Sequence, residues 1–494
     1  MIGKRNKLSN LWRLYVSWTA EHPAVVLLIS AVTFLSLGWG QDGINLDSST
    51  YSVIARNMVE QGRWFNPTYT LYSHPNFAEH PPLVMWFQAV IFWIFGTNDS
   101  TARLFGALCT IGSVLAVFWL GREVADKWFG FLGALILILT YNFMQGGNST
   151  LLDNPMTFFV LITLTGLVKL QSSIIDDAPL WVFTVTGLAL GCSFLTKGVV
   201  SGPVWVAVGL TAIIHRNWLK KLRFWIIPGL SIGIVILYLL LDQVYADGHF
   251  ARHYFMTQVW RRFITGGPEI HTEWYGFLYR YSTLYLPWIL LLPIGIFVSI
   301  KKKIVALLPL GITLLLYIVF YSIAAKIYYH YFAPVYALSA LFVAMGLGLF
   351  LKDKLIPKVA AVFLIIWIST AIGVTVAGVR IHQIRCAKVY DLTQTMTDLL
   401  CKSNGREGVM VCPEEPDWDV IAKTAWYWRS DIAWTENLNQ AMEKVRSDQR
   451  YTYLLLSQES DNYSIDDIPE DFFLYTSNNK LAVFTLSITA QNSQ

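Results

Sequence analysis

The chain has 494 residues, 54% of them apolar and only 14% charged, with 37 Lys and Arg against 33 Asp and Glu for a net charge of +4. About a quarter of residues are charged in an ordinary soluble domain, so this composition excludes that class, and so small a net charge gives no footing for nucleic-acid binding. Aromatic residues reach 15%, including 20 Trp and 24 Tyr, which suits many positions with one side in oil and the other in water.

In chain order, MIGKRNKLSNLWR reads as a basic cytoplasmic flank, and the apolar run behind it lacks a small-residue cleavage site. A retained first helix is expected there, not a removed signal peptide. Apolar stretches recur at roughly 24–40, 82–96, 102–120, 128–143, 155–170, 180–195, 199–214, 224–241, 284–300, 304–324, 331–351 and 356–379. A spanning helix needs about 20 apolar residues. The expected fold is therefore a polytopic α-helical membrane protein with about 11–13 transmembrane helices.

The densest basic loops, HRNWLKKLR at 215–223 and IKKK at 300–303, are expected in the cytoplasm. Loops 242–283 and 325–330, the turn around Asp153 and everything after about 380 then face the opposite side. Counting forward from a cytoplasmic N terminus also puts 41–81 outside. The two counts differ by one crossing between residues 40 and 100, so a segment there is either missed or does not span.

Residues 1–385 read as the membrane domain, with external loops 41–81 and 242–283, and residues 386–494 as a small extracytoplasmic α/β domain. In that tail EGVMVCP, YTYLLLSQ and LAVFTLSI read as strands, and WDVIAKTAWYWRSD and ENLNQAMEKVRS as helices. Cys109 and Cys192 lie in apolar spans, whereas Cys386, Cys401 and Cys412 fall in the tail, where a Cys401–Cys412 disulfide is one option.

Three acids stand at the borders of apolar segments. Asp47, in LDSSTYSVIARNMVEQ, begins a short amphipathic helix expected to lie on the membrane surface. It is either a helix cap with Ser48 or Ser49, or a general base for an acceptor hydroxyl or amine. Glu79 and His80 precede Pro81 and Pro82, which favour an extended entry and a firm helix start. This pair can serve lipid headgroups, a phosphate or a divalent metal, although two residues do not specify a metal site. Asp153, in LLDNP, reads as another cap or as a third acid of an external site.

Cationic partners are at hand. Loop 242–283 carries His249, Arg252, His253, Arg261, Arg262 and His271 among aromatics, suited to a headgroup-hugging loop or to gripping a lipid phosphate. Lys197 and Lys326 end apolar segments, as snorkelling anchors or phosphate contacts. No GxxxxGK[ST] loop, HExxH or paired CxxC is present, so no ATP-driven motor is visible.

The stretches LDSSTYSVIARNMVEQGRWFNP, FAEHPPLVMWFQAVIFWIFG, STARLFGALCTIGSVLAVFWLGREV, LLDNP, FLTKGVVSG and AKIYYHYFAPVYAL together resemble the integral-membrane GT-C glycosyltransferases. The likeness is to the group holding protein O-mannosyltransferases and bacterial lipid A aminoarabinose transferases. It implies transfer of a sugar from a polyprenyl-phosphate donor, undecaprenyl phosphate by expectation, to an extracytoplasmic acceptor by inverting displacement. The acceptor is left open among lipid A, another glycolipid, a polysaccharide and a protein. Asp47 matches the family's catalytic carboxylate, although many relatives have Asp-Glu where this chain has Asp47-Ser48. Glu79 matches the acid before the proline, His80 stands where many bacterial relatives carry lysine, and Asp153 and Lys197 match an Asp and a Lys of the family.

The resemblance thus implies Asp47, Glu79 and Asp153 as catalytic residues, and His80, Lys197, Arg261, Arg262, Lys326, Tyr51 and Arg56 as contacts to donor phosphate or substrate. A divalent metal (Zn, Mg or Mn) on Glu79 and His253 is an option, and no nucleotide cofactor is expected. The expected setting is the bacterial inner membrane, with the site and tail on the periplasmic side, membrane lipids as neighbours and a monomer as the simplest assembly. The competing class is a lipid or solute transporter, which also uses about twelve helices. A flippase would move labelled lipid without making a new glycosidic bond.

Overall fold

The computed structural model describes residues 2–39, 44–70, 75–172, 174–265, 275–323, 328–351, 355–376, 409–416, 418–448, 451–458, 460, 462–478 and 481–486. The chain divides into two compact units: Met1–Gly40, Ala78–Val84 and Arg103–Ile381 form the first; Gln41–Phe77, Met85–Ala102 and His382–Gln494 form the second. The first external loop thus groups with the tail, although the sequence reading assigned it to the membrane domain.

The first unit is helical. Asp153–Gln171 packs on Leu180–Lys197, which packs in turn on Ile226–Ala246. On this last helix Leu237, Leu240 and Val244 are more than half exposed. Apolar side chains turned outward in a row are what a helix facing lipid presents. Leu292–Lys301 and Ala333–Leu347 cross at Gly295 and Gly346; a Cβ on Gly295 would overlap the Phe342 carbonyl, and one on Gly346 the Leu291 carbonyl. Small residues at the crossing allow this close backbone approach, a device common between membrane helices.

Among the described residues five helices are long and apolar enough to cross a membrane, or up to seven if each of two bent pairs counts as one span. The polytopic helical fold agrees with expectation, and five to seven of the about 11–13 expected crossings are met among the described residues. Several other apolar runs fold as helices too short to cross alone. Leu83–Phe95, with 13 residues, is roughly 20 Å long at 1.5 Å per residue, against a core of about 30 Å. If that helix does not span, the forward and backward topology counts agree. Lys127–Ile138, by contrast, is continued after a break by Tyr141–Gly146.

The second unit contains a five-stranded mixed sheet built from β1 (Val409–Cys412), β2 (Asp431–Trp434), β3 (Tyr451–Ser457), β4 (Phe472–Ser477) and β5 (Leu481–Leu486), in the order β2-β1-β3-β5-β4. β1 is parallel to β2 and β3, whereas β5 is antiparallel to β3 and β4. The amphipathic helix Leu438–Ser447 covers one face through Ala441, Met442 and Val445. β1, β3 and β5 lie where the apolar runs predicted them. β2 and β4 were missed: β2 has four residues directly behind a helical segment, and β4 is an edge strand with Phe473, Leu474 and Tyr475 exposed. Cys412 is a free, buried thiol whose pKa burial pushes well above its ordinary value; Cys386 and Cys401 lie outside the described residues.

The same unit holds the Leu46–Gln61 helix. Asn45 caps its start by accepting from the Ser48 N–H at 2.9 Å, and Gly62, at φ 69°, ends it in the left-handed conformation that glycine adopts without cost. The helix spans the expected residues, and protein covers every position from Ser48 to Met58. Its polar side chains have internal partners: Gln88 Nε2 donates to Ser52 Oγ at 2.7 Å, and Asn57 Nδ2 donates to the Thr68 and Tyr69 carbonyls at 3.0 and 2.9 Å.

Candidate active site

In the first unit the site is built where two helix ends meet. Asp153 opens the helix Asp153–Gln171, whose N-cap residue Leu152 makes no side-chain cap bond. Asn154 holds this turn by donating to Thr110 Oγ1 at 2.8 Å and to the Phe143 carbonyl at 2.9 Å. Lys197 closes the helix Leu180–Lys197, and Gly198 then turns the chain at φ 61°. A Cβ on Gly198 would overlap the Tyr254 hydroxyl, which accepts from the Val199 N–H at 2.8 Å. FLTKGVVSG therefore needs its glycine for a left-handed backbone and for the approach of a buried tyrosine.

This arrangement brings Lys197 Nζ to 2.6 Å from Asp153 Oδ1, with side-chain exposures of 6% and 1%. Neither bland alternative from the sequence applies: Asp153 is not a helix cap, and Lys197 is not a snorkelling anchor. Such burial makes each charge depend on the other, because desolvation costs several kcal/mol per ion without a partner. The Lys197 ammonium also sits 4.5 Å from the ring centroid of Tyr331, a cation–π contact. His330 Nε2 stands 3.9 Å from Asp153 Oδ2, beyond hydrogen-bond reach. Two fully buried hydroxyls, of Tyr317 and Tyr321, have no hydrogen-bond partner among the described residues. Their rings stack at 5.8 Å, and Tyr321 stacks on Tyr331 at 5.6 Å.

His330, Tyr331, Tyr317 and Tyr321 were not singled out from the sequence. For His330 and Tyr331 the signal was present in KIYYHYF, beside Lys326. Glu79 is exposed and His80 half-buried at the entry to the Leu83–Phe95 helix. His253 is exposed at the end of the short helix His249–His253, its ring stacked on His249 at 5.8 Å. Among the described residues no group of three or more His, Cys, Asp or Glu is arranged to hold a metal, so within them the Glu79 and His253 option finds no further ligand of these types. Arg261 and Arg262 fall in the helical segment Tyr254–Thr265, but their side chains, like Lys326 and His271, lie outside the described residues.

In the second unit Asp47 is half-buried in the first turn of the Leu46–Gln61 helix. Asn45 makes the cap bond, which leaves the Asp47 carboxylate without a hydrogen-bond or ion-pair partner among the described residues. Tyr51 is buried edge-on against Phe77 at 6.2 Å. Arg56, expected at the donor phosphate, is committed elsewhere: its Nη1 and Nη2 donate to the Trp426 and Ala425 carbonyls at 3.0 and 2.9 Å, and Nε lies 3.8 Å from Glu60. A buried guanidinium with both terminal nitrogens bonded to backbone carbonyls is a brace, not a free phosphate fork.

Residues 79–241 match the family model described as dolichyl-phosphate-mannose-protein mannosyltransferase. Among solved structures, the chain is similar to ArnT from Cupriavidus metallidurans bound to undecaprenyl phosphate, with a TM-score of 0.71 and 16% identity over 95% of this chain and 98% of that one. The chain has the GT-C fold. A more distant likeness, at TM-score 0.56 and 13% identity, is to the archaeal oligosaccharyltransferase AglB of Archaeoglobus fulgidus, over 90% of this chain and 70% of that one. In sequence, the GT-C chain is 26% identical over 279 residues to the undecaprenyl phosphate-alpha-4-amino-4-deoxy-L-arabinose arabinosyl transferase 1 of Pseudomonas fluorescens, covering 55% of this chain and 49% of that protein. A second such transferase of the same species is 26% identical over 317 residues, covering 63% and 56%. The chain spans about half the length of the curated relatives it matches.

Proposed function

We propose that the chain is a glycosyltransferase that moves a sugar from a polyprenyl-phosphate donor to an extracytoplasmic acceptor by a single inverting displacement. Its setting is the bacterial inner membrane, with the reaction on the periplasmic face. The observation that carries this reading is Asp47, a first-turn carboxylate released from capping by Asn45 and without an ion-pair partner among the described residues. The likeness to a transferase fold that binds undecaprenyl phosphate supports it.

In this mechanism Asp47 takes the proton of the acceptor hydroxyl or amine as the acceptor attacks the anomeric carbon. The new glycosidic bond forms while the bond from that carbon to the phosphate oxygen breaks. The lipid phosphate leaves already anionic, so it needs charge stabilisation more than a proton. Lys197 suits that task, since an ammonium has three N–H donors and Asp153 accepts from it at one position. Arg261, Arg262 and Lys326 are the further cations of this proposal, and Glu79, His80 and Tyr51 its further candidate contacts to the donor. Arg56 is left out because its guanidinium is occupied. The prenyl chain would lie between membrane helices, where each buried CH₂ contributes about 0.8 kcal/mol.

The test is mass spectrometry of envelope glycolipids, polysaccharide and proteins from cells with and without the gene. A gene-dependent mass increment of one sugar is expected, and it identifies sugar and acceptor together. Movement of labelled lipid across the membrane with no new glycosidic product would instead make the chain a lipid transporter.

A further inference from the structure

The sequence leaves the tail with no evident task, since none of its residues was a candidate for chemistry. Within the second unit, however, the tail segment Trp418–Trp428 holds the backbone immediately before Asp47. The Ile44 N–H donates to the Tyr427 hydroxyl at 3.0 Å, and the same hydroxyl donates to Asp99 Oδ2 at 3.0 Å. The Ile44 carbonyl accepts from the ammonium of Lys423, a lysine only 2% exposed. Both backbone polar groups of a residue three positions before Asp47 are thus taken by two tail side chains. Further along the same helix, Arg56 donates to the carbonyls of Ala425 and Trp426. Trp426 is fixed in turn: its Nε1 donates to Asp99 Oδ1 at 2.8 Å, and its ring stacks on Phe92 at 5.9 Å.

A buried lysine and a buried arginine are costly to keep unless bonded, and here both are spent on backbone carbonyls. Carbonyls and amides held by side chains fix position, because they leave the backbone little freedom to shift. The hold acts at two points about three turns apart, at Ile44 and at Arg56, so it constrains both the start of the helix and its axial rotation. Rotation matters for a first-turn side chain, since adjacent residues differ by about 100° around the helix.

We infer that Tyr427, Lys423 and Arg56 are positioning residues, through which the soluble tail sets the orientation of the Asp47 carboxylate without contributing a reacting group. This inference rests on the reading of Asp47 as the base. Misplacement of a reacting group by 1 Å can cost about a hundredfold in rate, which gives the tail a direct grip on turnover.

The experiment uses full-length protein with Tyr427→Phe, which keeps the ring and removes the hydroxyl between Ile44 and Asp99. Hydrogen exchange on purified protein in detergent reads the amides of residues 44–50 and needs no substrate. Faster exchange there, with the sheet amides unchanged, is the expected result. In cells, the gene-dependent glycoconjugate per unit of membrane-inserted protein should fall about tenfold, within the range that misplacement produces. Combining Tyr427→Phe with Asp47→Asn should lower it no further than Asp47→Asn alone, because both act on one carboxylate. Unchanged exchange, or undiminished product despite faster exchange, would overturn the inference. Full product from Asp47→Asn by itself would instead remove the base assignment on which it rests, so the two failures are distinguishable.

Discussion

Asp47 and Asp153 occupy the same local position in two regions of the molecule, each in the first turn of a helix. That position favours any carboxylate, because unpaired N–H groups make the helix start electropositive. Their surroundings then diverge. Asp153 is 1% exposed and bonded to a buried lysine, whereas Asp47 is half-buried, relieved of capping by Asn45, and has no partner among the described residues. One carboxylate is used to tie two helix ends together; the other is left with its lone pairs available. A first-turn acid is therefore not informative until its partner is known.

The comparison can be broken most sharply at Asp47. Asp47→Asn should lower sugar transfer by about 10²- to 10⁴-fold, the usual range for a general base. Undecaprenyl phosphate binding and the thermal midpoint should be retained, and near-normal turnover of the purified variant would sink the assignment. Lys197→Ala should lower transfer as well, because it removes a cation from the leaving phosphate, but unlike Asp47→Asn it should also cost stability. It strands the Asp153 carboxylate in an apolar setting and should destabilise the fold by about 3–5 kcal/mol, measured as unfolding in detergent. Removing both charges with Asp153→Asn and Lys197→Met should recover most of that loss; a lone Lys197→Ala protein as stable as wild type would mean that the pair holds nothing together.

Gly198→Ala should cost more than about 1 kcal/mol, since a left-handed glycine replaced by alanine is strained and the new methyl meets the Tyr254 hydroxyl. An unchanged midpoint would contradict the role given to that turn. The smallest effect belongs to an exposed ion pair in the tail. Arg446 donates from Nε and Nη2 to the two Asp471 carboxylate oxygens, both at 2.7 Å, and this hydrogen bonding lowers the Asp471 pKa from its ordinary value. With both partners solvent-exposed, Arg446→Ala should cost only about 0.2–1 kcal/mol. Because the folded-state pKa is lowered, the contribution is complete above the unfolded carboxylate value of about 3.9 and fades as pH falls through the lower folded value. The stability difference between wild type and variant should stay level from about pH 6 to 8 and vanish in strong acid; a difference that grew on acidification would have the wrong sign.

Much of the fold was legible along the chain, because membrane helices and buried strands announce themselves by runs of apolar residues. β1, β3 and β5 follow from VMVC, YTYLLLS and LAVFTL. β4 did not, since an edge strand has only one neighbour to bury it and its FFLYTS face stays exposed. Crossings are hard to count along the chain for a related reason: apolarity marks a segment as unsuited to water, but the length of the folded helix decides whether it can span alone, as the 13 residues of Leu83–Phe95 illustrate. At the site, LLDNP and FLTKGVVSG were both singled out, yet nothing along the chain joins residues 44 positions apart into the Asp153–Lys197 pair.

The sequence by itself determined that the chain lives in a membrane, that a small α/β tail follows, and which acids and cations stand at segment ends. Those properties are local, set by composition, by the period of the apolar pattern and by turn chemistry. Only the tertiary structure decided which of these charges are partnered. Arg56 looked available for a phosphate until its guanidinium met the carbonyls of residues 425 and 426, and Asp47 looked like a cap until Asn45 took that bond. Whether a charged group can act depends on what else reaches it, and in this chain the partners come from as far as 379 residues away, the separation between Ile44 and Lys423.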